Sequence, residues 1–363
     1  MLLRWARARI RLPLDVAAEK IGVGTAVLAQ WEEGTLRPSF AKLRVVAKVY
    51  KKPLAFFYFS EPPEDLEIPP DFRTLGRFAD ISFELMAAIM DACSRQEIMA
   101  TIYDSAGWSR PSFAYDIGHL RTPGAVAAFI RTILEVSLES QYGAKDPYAS
   151  LSLWRRAIEG IGVLVFQAGI PVSEMRGLSL YNDTFPIIII NSQDAPNARV
   201  FSLMHEFCHL LRRKSGVCTL SEFGAEGEEA FCDAVAAETL LPRQAVEEYV
   251  HSVPEDPELW RASDFAKASK TFGVSEHVVV RRLHDLGLIS TALYRAKVKD
   301  LSMRQFGGGN GGSFYRNKVA QLGRPFINTV LAAFNAGLLS SRDAAVFLGA
   351  KIDNFEKLRD AAA

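Results

Sequence analysis

Apolar residues recur at helical spacing along most of the chain, and the clearest case lies at residues 194–216. Asp194 is the predicted N-cap of that helix, a proline falls in its first turn, and basic residues precede its end. A second helix is predicted from about residue 226 to 240, where Pro242 ends it. Four isoleucines at 187–190 predict a short strand just before the first helix.

The same patterns divide the rest of the chain into helices and connectors. Residues 1–60 are predicted to form short helices separated by turns that contain proline and glycine. Further helices are predicted at about 80–105, 123–140 and 315–360. A proline- and acid-rich connector lies at 61–78 and a glycine-rich hinge at 307–312. The predicted fold class is mainly α with a small β-sheet, that is, α+β.

Composition and charge narrow the class of protein. At 363 residues and 49% hydrophobic content the chain is long enough for two or three packed domains, which excludes a disordered protein. Four cysteines without a spaced framework, and no apolar run of membrane-spanning length, predict a cytoplasmic protein with no membrane partner. Residues 1–60 hold 11 Lys and Arg against 4 Asp and Glu, so an anionic partner is expected for this part.

A ligand set for a catalytic metal ion stands on the two central helices. His205 and His209 are four residues apart, on one face of a helix, so both can bind one ion at about 2.0 Å. Glu229 on the second helix is the third ligand, which leaves a fourth position open. We therefore predict one Zn²⁺ per chain, which lowers the pKa of a bound water toward about 7, with Glu206 as general base.

Two alternatives bear on this ligand set. Glu228 adjoins Glu229 but lies about 100° round the helix, and only Glu229 is followed one turn later by a carboxylate, Asp233. Asp233 is predicted to orient either His205 or His209 by accepting a hydrogen bond from the ring nitrogen of that histidine that does not bind the metal. The plainer interpretation, two partly buried histidines beside a surface glutamate, does not explain a third carboxylate at this distance.

Residues 151–288 resemble the ImmA/IrrE metallopeptidase family. The similarity runs through the strand segment, the stretch RVFSLMHEFCHLL and the stretch EEAFCDAVAAETLLP, in the family's order. The resemblance implies a zincin-like core and a zinc-dependent, site-specific peptidase that cuts a DNA-binding repressor. It also implies that Glu229 occupies the position of the family's glutamate ligand. Asp233 stands where the family usually has Asn, which changes a hydrogen-bond partner and leaves the ligand count intact.

The N-terminal helices resemble the Xre-type helix-turn-helix of phage repressors, with Gly22 in the turn. If this module binds DNA, Thr25 and Gln30 face the major groove, while Arg37 and Lys42 contact phosphates. Only Gln30 can form a bidentate contact with a base edge, so docking of a protein remains an equal alternative.

Several further residues are candidates beside the ligand set. A second helix-turn-helix-like pattern at 259–290 carries three candidates for stabilising an oxyanion, each with a surface role as its alternative: His277, Arg281 and His284. Residues 187–190 form either a strand edge to which an extended substrate adds or a buried core strand.

The cysteines have two interpretations. Cys93 and Cys218 are candidates for a thiolate that blocks the open metal position, with packing as the alternative. Cys208 and Cys232 are interpreted as small buried packing residues, because each lies off the face of the ligand beside it.

These predictions define the domains and the function together. The domains are a helix-turn-helix domain at 1–60, a linker at 61–78, a peptidase domain at 79–300 with its core at 151–290, and a hinge with a helical tail at 301–363. The predicted protein is a zinc endopeptidase that cleaves a helix-turn-helix repressor and so relieves repression of a stress, DNA-damage, phage-defence or mobile-element response. Its predicted partners are that repressor and DNA, including single-stranded DNA as an activator. The alternative is a zinc-containing helix-turn-helix transcription regulator without proteolytic activity, for which Glu206 is dispensable.

Overall fold

The computed structural model describes residues 2–50, 52, 57, 82–214, 216–218, 227–303 and 313–363. The predicted connector at 61–78, the glycine-rich hinge at 307–312 and the side chain of Cys218 lie outside the described residues. The chain divides into two compact units, Met1–Trp108 with Thr329–Phe355 and Ser109–Asn328 with Glu356–Ala363. The described residues are mainly helical with one small sheet, which confirms the predicted α+β class.

Short helices build the N-terminal part of the first unit. They are α1 (Leu2–Arg9), α2 (Leu14–Ile21), α3 (Thr25–Glu33), α4 (Phe40–Val49) and the longer α5 (Phe83–Ala106). Gly22 ends α2 with a left-handed φ of +71°, which glycine adopts without strain. The chain therefore turns at once into α3, the second helix of a helix-turn-helix.

Helix α5 packs with these helices. Its residue Ala87 lies in the same apolar core as Leu28 and Val46. The expected division placed 79–300 in one domain, whereas the structure groups α5, together with residues 329–355 of the expected tail, with the N-terminal helices. An apolar helical pattern predicts that one face is covered, but it does not specify which core covers it.

The second unit supplies most of the remaining helices. They are α6 (Pro123–Leu134), α7 (Leu138–Gly143), α8 (Pro147–Gly160), α9 (Pro196–Leu211), α10 (Glu228–Leu240), α11 (Arg243–Ser252), α12 (Ala262–Phe272), α13 (Glu276–Asp285), α14 (Thr291–Met303) and α15 (Phe314–Leu322). The last helices of the chain are α16 (Arg324–Asn335), α17 (Ser341–Leu348) and α18 (Phe355–Ala362).

Within the described ranges the sheet has four strands in the order β1-β3-β2-β4. The strands are β1 (Leu164–Ala168), β2 (Gly177–Leu180), β3 (Ile187–Asn191) and β4 (Gly216–Cys218). β1 runs parallel to β3, and β2 runs antiparallel to both β3 and β4. The four isoleucines of β3 are buried on a central strand, so the core interpretation is right and the substrate-edge interpretation is wrong for this strand. A continuous apolar run of this kind suits a strand covered on both faces.

Helix α9 lies in the core of the second unit. It contacts α8, α10, β2 and β3, and all of its residues from Val200 to Leu211 are buried. The N-cap is Ala195 and not the predicted Asp194, because Asp194 Oδ1 instead accepts a hydrogen bond from the Ala195 N–H. These contacts fix the position of the helix and so of His205, Glu206 and His209, which lie on it.

Candidate metal centre

The two histidines of α9 meet on one face of the helix. His205 and His209 are one turn apart, and their Nε2 atoms lie 3.1 Å from each other. Both residues are buried, with 1% and 5% of their surface exposed. Two imidazole nitrogens are therefore directed at one point inside the protein.

Glu229, at the start of α10, brings a third donor to the same point. Its Oε2 lies 3.0 Å from His205 Nε2, and its Oε1 lies 3.2 Å from His209 Nε2. Glu228 is directed elsewhere and forms ion pairs with Arg212, at 2.7 Å, and with Lys214. The structure thus brings together the three predicted ligands and leaves the rival carboxylate outside.

The donor set fits a metal ion. In a tetrahedral zinc site with bonds of about 2.0–2.1 Å, donor atoms are about 3.3–3.4 Å apart. The two Nε2 atoms are 3.1 Å apart, and the carboxylate oxygens of Glu229 lie 3.0 Å (Oε2) from His205 Nε2 and 3.2 Å (Oε1) from His209 Nε2. Two imidazoles with one carboxylate form a ligand set that catalytic zinc uses. The site could therefore hold zinc with only a small outward adjustment of its side chains.

The charges of the donors also favour a cation. Burial raises the pKa of Glu229, but hydrogen bonds with His205 and His209 outweigh burial and hold that pKa well below its usual range. Burial lowers the pKa of His209, but its contacts with Cys232 and Glu229 reverse the shift and raise the pKa to about 10. A carboxylate beside an imidazolium proton is a place where a metal ion displaces the proton, so metal affinity should fall as pH falls.

Glu206 is buried beside these donors without a hydrogen bond. Its surface is 0% exposed, and neither carboxylate oxygen has a hydrogen-bond partner in the described part of the chain. Burial raises the pKa of Glu206, and the charges of the two nearby histidines offset only part of that rise. Burying carboxylate oxygens without hydrogen bonds costs free energy of folding. Such groups are typical of functional sites, where a substrate or a water supplies the missing hydrogen bonds.

Gly177 on β2 makes room for Glu206. A Cβ atom placed on Gly177 would lie 2.6 Å from Glu206 Cγ, well inside contact distance. Only glycine therefore lets the strand approach the helix here without moving the carboxylate. Sequence patterns give no signal for this residue, because the approach joins two elements that are about thirty positions apart in the chain.

Asp233 holds His205 from the other side. Its Oδ1 lies 2.9 Å from His205 Nδ1, while its Oδ2 accepts a hydrogen bond of 2.9 Å from Arg281 Nη1. Asp233 is thus in the expected position beside a histidine, and the histidine is His205. Arg281, a candidate for the oxyanion, is instead bound to Asp233, so its side chain acts on the site through that carboxylate.

The other two oxyanion candidates lie elsewhere on α13. His284 stacks on Tyr294 at 4.5 Å, and its Nε2 lies 3.1 Å from Thr291 Oγ1. His277 is half-buried in the first turn of the helix. The contacts of His284 show a structural role, and its assignment to the oxyanion has no support in the structure.

The cysteines differ in where they lie and in what they contact. Cys93 is on α5 in the first unit, and burial raises the pKa of its thiol to about 11, so it is protonated at neutral pH. The backbone of Cys218 pairs with Gly177 in the sheet. Cys232 is buried, as a packing residue is expected to be, and its Sγ also lies 3.7 Å from His209 Nδ1.

The helix-turn-helix candidates differ in what they contact. Thr25, Gln30 and Arg37 are exposed, as a nucleic-acid contact requires. Lys42 is not free for a phosphate, because its ammonium donates to the carbonyls of Ile21, at 3.3 Å, and Gly22, at 2.9 Å. It caps the end of α2 and stabilises the turn of the motif.

Helix α9 presents two histidines and a buried glutamate, and the neighbouring α10 presents a carboxylate. This set of residues is typical of a metallopeptidase centre. Residues 158–284 match the model of the IrrE N-terminal-like domain, a metallopeptidase family, and residues 3–57 match a helix-turn-helix model. No curated protein matches the chain. The chain therefore carries an IrrE-like peptidase domain preceded by a helix-turn-helix domain, the family and layout that the sequence motifs predicted.

No helix among the described residues combines the length and apolarity needed to cross a membrane.

Proposed function

We propose that the second unit is a zinc-dependent endopeptidase centre, with one zinc per chain, whose substrate is a helix-turn-helix repressor. The observation that carries the proposal is the buried, unpaired carboxylate of Glu206 beside the three donors. A purely structural zinc is closed by four protein ligands and needs no free carboxylate. This difference favours catalysis over a transcription regulator without proteolytic activity.

The residues divide the work of peptide hydrolysis among them. His205, His209 and Glu229 would hold zinc, which supplies a Lewis acid that polarises the scissile carbonyl and makes water more acidic. Glu206 takes a proton from the attacking water and returns it to the leaving amine. Burial, which raises the pKa of Glu206, suits a carboxyl group that must keep this proton between the two steps.

The proposed substrate class rests on the presence of a peptidase domain and a helix-turn-helix domain in one chain. A helix-turn-helix domain at 3–57, with a positive balance of charge over residues 1–60, supports an encounter with DNA or with proteins bound to it. Cleavage of a repressor there would release transcription of the genes it controls, which we propose belong to a stress, DNA-damage, phage-defence or mobile-element response.

The test uses Glu206→Gln in the full chain. We expect this variant to keep its metal and its fold and to lose at least about 10²-fold in cleavage rate, because a general base contributes about that much. The chain is expressed together with the helix-turn-helix protein encoded beside its gene, and cleavage is followed on a gel. Glu228→Gln is the matched control, since that carboxylate pairs with Arg212 and Lys214 and not with the donors. Undiminished cleavage by Glu206→Gln would reject the proposed mechanism.

A further inference from the structure

The second ring nitrogen of His209 meets a thiol. Cys232 Sγ lies 3.7 Å from His209 Nδ1, and both residues are buried. A neutral imidazole that binds a metal through Nε2 carries its proton on Nδ1. In the metal-bound state this N–H would therefore donate its hydrogen bond to the sulfur of Cys232.

The two histidines thus have different partners on one helix. His205 Nδ1 meets the carboxylate of Asp233, which Arg281 holds in turn, whereas His209 Nδ1 meets a thiol. Asp233 and Cys232 are consecutive on α10, so their side chains diverge by about 100° and reach histidines one turn apart on α9.

We propose that Cys232 is a positioning residue for the metal centre: its sulfur accepts the Nδ1–H of His209 and fixes the ring with Nε2 toward the other donors. This inference rests on the proposed zinc centre. His205 is thus oriented by a charged partner and His209 by an uncharged one.

Cys208 provides a matched comparison for this role. It is also a fully buried cysteine, it lies on α9 directly before His209, and its thiol contacts the thiol of Cys232. Replacing Cys208 by Ala removes the same volume from the same thiol pair but keeps the acceptor for His209. A packing effect should therefore appear in both variants, and a positioning effect in Cys232→Ala alone.

The experiment measures zinc affinity of the full chain by competition with a chromophoric chelator, and the visible spectrum of the cobalt-substituted protein. We expect Cys232→Ala to bind zinc at least about 10-fold more weakly and to change the cobalt spectrum, because loss of a ligand's partner costs about 10–100-fold. Cys232→Ser should recover part of the affinity, since a hydroxyl also accepts an N–H. Cys208→Ala should bind zinc as the unchanged chain does.

Several outcomes overturn the inference. Unchanged zinc affinity in Cys232→Ala, or equal losses in Cys232→Ala and Cys208→Ala, would show that the thiol only packs. Cys232→Val fills the space of the thiol but has no acceptor, so it decides the question if the alanine variant does not fold. Wild-type zinc affinity in Cys232→Val would also reject the inference. Zinc binding by the unchanged chain distinguishes failure of the proposed zinc centre from failure of the role of Cys232. If the unchanged chain binds no zinc, the proposed centre is rejected. If it binds zinc and Cys232→Ala binds equally well, only the role of Cys232 is rejected.

Discussion

The adjacent carboxylates of Glu228 and Glu229 show how one residue position decides a role. Glu229 lies between the two histidines, and Glu228 lies between Arg212 and Lys214. We expect Glu229→Gln to weaken zinc binding by more than the about 10–100-fold that loss of a ligand's partner costs. Zinc content after dialysis against a weak chelator measures the effect, with Glu228→Gln as the control. Equal zinc content in both variants would contradict the assignment of Glu229.

Gly177 offers a second test at the scale of one residue. Its replacement by Ala places a Cβ 2.6 Å from Glu206 Cγ, so the carboxylate must move. We expect Gly177→Ala to retain zinc and to lose up to about 10²-fold in the rate of cleavage, since a displacement of about 1 Å in a catalytic group has effects of this size.

Gly160→Ala is the control for this substitution. Gly160 has open space around its added Cβ and lies in the same unit, so its variant should cleave at the normal rate. A Gly177→Ala protein as active as Gly160→Ala would show that the position of Glu206 tolerates the intrusion.

Among the elements, α3 is held by an ion pair inside the helix-turn-helix domain. Arg7 of α1 forms two hydrogen bonds with Glu32, at 2.7 and 2.8 Å, and the hydroxyl of Tyr50 donates to the same carboxylate at 3.2 Å. The Glu32 side chain is only 5% exposed, so its removal would leave Arg7 without this partner in a mostly buried position.

We expect Glu32→Ala to destabilise this domain by about 3 kcal/mol, the size of effect seen when one member of a buried pair is lost. Hydrogen exchange of backbone amides in α1–α4 of the full chain measures it, and Glu32→Gln, which keeps two hydrogen-bonding groups, should lose less. Exchange rates that stay the same in Glu32→Ala would show that apolar packing alone holds α3.

Helix α13 shows how an element can have the sequence pattern of one role and the structure of another. With α12 it forms a helix-turn-helix-like pair, and Gly273 in the turn has a left-handed φ of +67°. Its residues Val278, Val279 and Val280 are nevertheless buried in the core of the second unit, and Arg281 binds Asp233. The helix therefore supports the candidate metal centre, and its buried face is not available to read DNA.

For the whole molecule, the distribution of charge leads to a prediction about regulation. We expect nucleic acid, in particular single-stranded DNA, to bind the basic N-terminal part and to increase cleavage of the repressor. Because binding releases counterions, the logarithm of affinity should fall with the logarithm of salt concentration by about 0.7 for each phosphate contacted. Arg37→Ala, which removes an exposed cation, should make that slope shallower by about one contact.

The measurement compares cleavage by the full chain with and without a single-stranded oligonucleotide, at low and at moderate salt. A duplex of the same sequence serves as the control for single-strand preference. Equal cleavage rates in every condition would contradict nucleic-acid activation and would favour a helix-turn-helix domain that docks the repressor directly.

The sequence alone was enough to identify the residues whose geometry is local. His205 and His209 share a face because a helix turns every 3.6 residues, and Glu229 was preferred to Glu228 by the same periodicity, since only Glu229 has Asp233 one turn away. Gly22 was predicted in a turn because few other residues adopt a positive φ, and the structure has it there.

Contacts between distant elements were decided only by the tertiary structure. Cys232 beside His209, Gly177 against Glu206 and Arg281 on Asp233 each join two elements, and helical or strand periodicity carries no information about which elements meet. The placement of α5 with the N-terminal helices has the same origin, because an apolar face fits many cores and only the packing of the whole chain selects one.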